Sequence, residues 1–418
     1  VDHAAVLALA LPDGQRTPAQ QRAIFTAWRQ TLPEAQSIND EIAAAWNTFP
    51  AAQTTVLHLL ERKPEEARTT HLLDRGAWDQ AKHAVKPHTP AALHPLPAGG
   101  KVDRLAFAQW LADRRSPLTA RVAVNRVWQA IFGTGLVETA EDFGTRAPVP
   151  VYQDVLDALA VDFMAHGWSH KHLVRTILSS ATYQQTSRVS PGLLERDPRN
   201  QLLARGPRFR LDAEVVRDSA LSMAGLLTPT VGGPSIFPPV PKSVLDYNYV
   251  KPDYWEPAQG PQRYRRALYV FRKRSMPDPV MSAFDAPNGD TACVRRPRSN
   301  TPLAALTSLN EPVFVEAAQG LALRILREGG ATDAARADFA YRLCTARPIK
   351  AEEQTAVAGL LRDSRQRLAD GWLNPWEVAT GEPGKPPTLP KGTTPQDAAA
   401  WTIVARVLLN LDETLTKN

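Results

Sequence analysis

Thirty-six prolines are spread through 418 residues, about one position in twelve. Each fixes φ and removes a backbone donor, so it is tolerated in the first turn of a helix or at a sheet edge and not inside either. A chain so punctuated cannot build long regular repeats or wide central sheets, and it shows no fixed-period repeat. It must fold as many bounded helices joined by ordered loops.

The apolar pattern supports that reading. Thr17 and Pro18 suit the start of a helix over 17–47. "TTVLHLL" and "RTTHLLDR" are Thr-rich extended runs joined by a polar link, which predicts a β-hairpin between them. "KPHTPAALHPLPAGG" reads as a linker. From Asp103 onward the period turns helical, with the best stripe at Val155, Leu156, Leu159, Ala160, Phe163 and Met164. Helices are also predicted at 211–226, 303–328, 332–346, 351–369 and near the C-terminus. "RALYVFRKR" is the best strand in the irregular stretch. The expected fold is mainly α: a multi-helix, bundle-like domain with a small β-hairpin and a long ordered Pro/Gly-rich loop region. The expected division is 1–95, an N-terminal helix with the hairpin and linker, and 96–418, the helical domain. The latter carries an irregular loop region at 228–302 and a flexible insertion at 379–396.

Two cysteines, Cys293 and Cys344, are too few for a disulfide framework or a thiolate cluster. CxxCH is absent, so no c-type haem is attached to this stretch. No run of about 18 apolar residues offers a membrane span. A start at Val1, with no leader in view, suggests a processed or excised piece.

The net charge of +6 has one source. Between Arg263 and Arg298 stand nine Lys/Arg against three Asp, while forty of each sign balance elsewhere. "RYRRALYVFRKR", "FDAPNGD" and "CVRRPRSNTP" place Asp285 between two arginine clusters. Facing them, it would stay ionised, which suits a nucleophile, a metal ligand or an ion pair holding the loop, and suits a general acid poorly. Arg263, Arg265, Arg266, Arg272, Arg274, Arg295, Arg296 and Arg298 form the candidate anion or partner surface. Nucleic acid is a poor fit, because the charge is mild and no recognition motif accompanies it.

Asn125 and Arg126 lie within an apolar helix, so a structural polar network with Asp142 or Asp162 is expected. His170 and His172 of "HKH" point to different helix faces and cannot converge on one ion, which predicts a solvated face. His71 and His166 are single histidines. No metal ligand set is expected, and GxSxG, HExxH, P-loop and GxGxxG patterns are absent. Ser235 of "VGGPSIFPP" reads as part of a tight turn.

Six stretches then agree in content and order with one family: "LTARVAVNRVWQAIFGTGLVETAEDFG", "GWSHKHLVRTILSSATYQQTS", "DPRNQLLAR" with "RLDAEVVRDSAL", "GGPSIF", "FDAPNGDTACVRRPRSNTPLAALTSLNEPVFVEAA" and "AWTIVARVLLNLDE". Over residues 100–418 the chain resembles the C-terminal domain-of-unknown-function family of planctomycete-type, cytochrome-associated secreted proteins. It departs at Val151 and Tyr152, where the family carries His-Pro, and at Ala304, where it carries Gln. The resemblance implies a periplasmic or extracellular location and a c-type haem on a portion N-terminal to this chain, which itself holds no cofactor. It names no reaction. Two expectations follow. One is a haem-less domain that docks an acidic partner, either the cytochrome module or an anionic polysaccharide. The other is a hydrolase on an anionic extracellular substrate, centred on Asp285 and its arginines, with Asp142 or Glu311 as a second carboxylate.

Overall fold

The computed structural model describes residues 3–48, 57–97, 99–240, 246, 255–274, 276–381 and 389–417. Among these the fold is mainly α, with seventeen helices and two small antiparallel ribbons. None of these helices is long and apolar enough to cross a membrane.

The chain divides into two compact units, 1–58 and 59–418. The first holds α1 (His3–Leu9), α2 (Pro18–Arg29) and α3 (Gln36–Thr48). Thr17 and Gln20 form a reciprocal capping box at the start of α2. The single helix expected over 17–47 is two helices, because Pro33 opens a 3-10 turn, Pro33–Ala35, between them.

In the second unit β1 (Thr70–Leu73) pairs antiparallel with β2 (Ala81–Val85). The hairpin is real, but "RTTHLLDR" pairs with the segment after it, not with "TTVLHLL". Arg75 and Gly76 both take left-handed φ and reverse the chain tightly. Of "TTVLHLL", Thr54, Thr55 and Val56 lie outside the described residues, and Leu57–Leu60 form no strand.

Next come α4 (Arg104–Leu111), α5 (Thr119–Phe132), α6 (Gln153–Ala165), α7 (His170–Leu178) and α8 (Pro191–Arg196). Val124, Trp128, Leu156, Phe163, Leu173 and Ile177 close one core between α5, α6 and α7. A second core is built by α9 (Ala213–Met223), α10 (Pro279–Ala283), α11 (Pro302–Asn310), α12 (Pro312–Glu328), α13 (Asp333–Thr345), α14 (Ala351–Ala369), α15 (Pro375–Thr380) and α16 (Pro395–Leu409). α12 and α16 pack along their lengths. Ala317, Ala318 and Ala322 on one and Ala398, Ala399, Ala400 and Ala405 on the other are small and fully buried, which permits close approach. α17 (Asp412–Leu415) leads into β4 (Thr416–Lys417), which pairs with β3 (Phe209–Arg210) and so joins the chain's end to α9.

Two expectations fail on proline. The helix expected over 303–328 is α11 and α12, broken at Glu311 by Pro312. "RALYVFRKR" is not a strand. It carries the 3-10 turn Ala267–Tyr269, and among the described residues its backbone makes only isolated bridges, Ile236 to Val270 and Lys273 to Met276. The neighbouring segment has prolines at 229, 234, 238 and 239 and cannot donate a continuous ladder. The irregular region 228–302 is otherwise ordered as expected over its described residues. Of the expected insertion, residues 382–388 lie outside the described residues, and the rest is the end of α15, its Gly381 cap, a turn over 389–394 and the start of α16.

Candidate functional site

Asp285 follows α10, directly after the buried Phe284, with a left-handed φ of +60° that short polar residues tolerate. Its carboxylate accepts hydrogen bonds from Ser299 N (2.8 Å), from Ser299 Oγ (2.9 Å) and from the Arg210 guanidinium. Arg210, on β3, has a side chain only 4% exposed. It also donates to the carbonyls of Ser299 (2.8 Å), Leu211 (2.9 Å) and Phe284 (3.1 Å). Burial pushes the Asp285 carboxyl up, but the bonds from Ser299 and Arg210 outweigh it and hold it below the ordinary carboxylate range. Ionised and engaged on both oxygens, Asp285 pins the loop to β3. The nucleophile reading has no support in this geometry, and neither Asp142 nor Glu311 is among its bonded partners.

The arginines fall into two sets. In the inner set, Arg265 is 2% exposed. It donates to the carbonyls of Pro234 (2.8 Å) and Gly232, with its guanidinium 3.8 Å from the Tyr269 ring centroid. Arg263 forms a two-pronged pair with Glu316 of α12. Arg296 grips Glu214 at 2.6 and 3.2 Å. Arg298 meets Asp212 at 3.1 Å and donates to Gly133 O (3.2 Å). Arg217 of α9 is buried and donates to the carbonyls of Arg265 (2.7 Å) and Arg263 (3.1 Å). In the outer set, Arg266 meets Asp218 at 3.6 Å, Arg272 meets Glu214 at 3.7 Å, and Arg274 meets Asp290 at 3.9 Å. Arg295 meets Glu141 at 2.7 Å. These four side chains are 47–77% exposed.

Counting charge within one window of sequence therefore misreads the surface. α9 and its cap bring Asp212, Glu214 and Asp218 to the segment, and Glu141 and Glu316 come from further elements. The signal was visible in "LDAEVVRD", whose Glu214 and Asp218 share a helix face at i, i+4.

A small cavity of about 30 Å³ lies beside this network, lined by Arg217, Arg263, Asp278 and Glu311 together with Pro238, Pro239 and Met281. Burial first, and the nearby Asp278 charge second, push the Glu311 carboxyl up. Asp278 caps α10 by accepting from Met281 N (2.9 Å).

The expected polar network at 125–142 separates into parts. Asn125 is buried and spans two strokes of backbone, donating to Val137 O (3.1 Å) and accepting from Val137 N (2.8 Å). Gly135 runs so close that a Cβ there would sit 2.6 Å from the Asn125 amide. Arg126, one helical step on, is exposed on the solvent side of α5. Asp142 accepts from Gly144 N (2.8 Å) and reaches Arg146 at 3.9 Å, stabilising its own turn.

His170 and His172 do diverge, but neither is a bare solvated group. His170 packs edge-on against Phe163 at 5.2 Å, and His172 meets Asp162 of α6 and His166, the C-cap that follows it. Cys293 and Cys344 are both free, and burial pushes the Cys344 thiol up to about 12, far from thiolate chemistry at neutral pH.

These features define a helical domain whose basic segment is tied down by internal arginine–carboxylate pairs. A family model described as "Protein of unknown function (DUF1553)" matches residues 103–361, and the chain belongs to that family. No curated protein and no solved structure matches it.

Proposed function

We propose that this chain is an extracytoplasmic docking domain, free of haem itself, that works beside a c-type cytochrome module and binds an acidic partner. The observation that supports this reading is the outer arginine set. Arg266, Arg272, Arg274 and Arg295 keep 47–77% of their side-chain surface in solvent, and three of their four pairs are stretched to 3.6–3.9 Å. Exposed pairs of that kind are worth about 1 kcal/mol or less and are readily exchanged for a partner's carboxylates. A uronic polysaccharide or the acidic face of a cytochrome presents the matching groups. The quadruple variant R266Q/R272Q/R274Q/R295Q tests the reading on immobilised polygalacturonate. Wild type is expected to bind at low salt and to elute steeply as salt rises. The variant, with unchanged circular dichroism, is expected to elute at the void. Equal retention of both proteins would overturn the proposal.

A second reading, a hydrolase on an anionic substrate, is favoured by Glu311 alone. A carboxyl pushed up by burial and by the neighbouring Asp278, in a cavity that two arginines also line, is the kind of group general acid chemistry uses. The cavity admits a water or two and no sugar ring, so docking takes precedence. E311Q separates the readings. Under docking, its only effect is on stability. A raised folded-state carboxyl contributes stability that is complete below the unfolded value, near 4.5, and lost as pH rises through the folded one. The variant should therefore melt higher than wild type at pH 7, with the gap closing toward pH 4. Hydrolysis of polygalacturonate by wild type, falling about 100-fold or more in E311Q, would install the second reading instead.

A further inference from the structure

The α6–α7 corner gathers three metal-ligand side chains that the docking reading leaves unused. Asp162 and His166 stand at i, i+4 near the end of α6, so they share a face. Gly167 and Trp168 then both take left-handed φ, +64° and +60°. Trp168 N donates to Phe163 O (2.9 Å), and the Trp168 ring packs edge-on against Phe163 at 5.4 Å, which fixes this costly turn. Ser169 caps α7 by accepting from His172 N (3.3 Å). The consequence is that His172, on the first turn of α7, returns over α6. Its Nε2 lies 2.7 Å from Asp162 Oδ2, and His166 Nδ1 lies 3.1 Å from Asp162 Oδ1. The two imidazoles stack with centroids 3.8 Å apart. One ligand atom from each of the three residues lies within 4.8 Å of the others.

We propose that Asp162, His166 and His172 bind a borderline divalent transition-metal ion of the zinc class. Metal–donor distances of about 2.0–2.2 Å in a tetrahedral site put donors about 3.3 Å apart. The observed separations of 2.7 and 3.1 Å, which run to different oxygens of Asp162, would open by about 0.2–0.6 Å, and the third, between the two histidines, lies within 4.8 Å. Two imidazoles and one carboxylate suit zinc, copper(II) or nickel(II) and do not suit calcium or magnesium, which take oxygen cages. The side chains are 31–51% exposed, so a bound ion keeps a position open to solvent. It also ties α6 to α7 across the strained turn. His170, on the far side of the first turn against Phe163, takes no part.

The test uses the purified chain without a polyhistidine tag, freed of metal by chelator, and titrated with zinc chloride by calorimetry and by thermal melting. Wild type is expected to bind one equivalent and to melt higher with zinc. H166Q, H172Q and D162N are each expected to lose affinity by about tenfold or more, and H170Q to bind as wild type does. A folded H166Q/H172Q double variant should bind none. Absence of a stoichiometric site in wild type would overturn the proposal, as would equal affinity in wild type and the double variant. The docking assay on polygalacturonate reads other residues, so failure of either proposal leaves the other standing.

Discussion

Arg210→Ala is expected to lower stability by about 3–5 kcal/mol, the cost of breaking a buried ion pair from one side. The guanidinium is 4% exposed and serves four acceptors: Asp285 and the carbonyls of Ser299, Leu211 and Phe284. Truncation leaves those acceptors without their donor and the Asp285 charge half-satisfied by Ser299. The loss should be pH-dependent. Asp285 is held below its unfolded value, so it contributes stability above that value and loses it as pH falls through the folded one. Urea melts of wild type and variant should differ most near pH 7 and converge in acid. The double variant R210M/D285N, which removes both charges, should cost less than R210A. A difference below about 1 kcal/mol for R210A at pH 7 would mean that β3 is not what holds the loop.

Trp401→Ala is expected to cost a similar amount, about 3–5 kcal/mol, for a different reason. Trp401 is fully buried on α16, in the core that α12, α13 and α14 share. Around it the two longest-packed helices meet through alanines, which have no side-chain freedom with which to fill a void. Phe in its place retains part of the aromatic volume, and W401F should recover more than half of the loss. Denaturant midpoints of the three proteins check the order.

The helices were legible because each carries its own evidence. "VYQDVLDALAVDFMAHG" announces α6 through its stripe, and Thr17 announces the cap of α2 that the structure uses. What the sequence withheld is pairing between elements. The strand Thr70–Leu73 pairs downstream with Ala81–Val85, across a turn in which Arg75 and Gly76 take left-handed φ. "RALYVFRKR" has strand composition, yet its neighbours' prolines deny it a ladder. The same limit governs the sites. The divergence of His170 and His172 follows from helix geometry alone, but the meeting of His172 with His166 depends on the Gly167–Trp168 turn. Asp285 was expected to face the arginine clusters that flank it in sequence. Its partner is Arg210, 75 positions away, and no window around residues 263–298 contains it.

The division of the arginines into sheltered and solvent-facing sets has a practical corollary. Mobile ions weaken contacts in water far more than contacts they cannot reach. Strong brine should therefore strip this molecule of whatever rides on its outer face while the scaffold beneath survives. On the docking reading, a protein purified through such a wash would arrive intact but alone, and a search for the proposed partner belongs in dilute buffer.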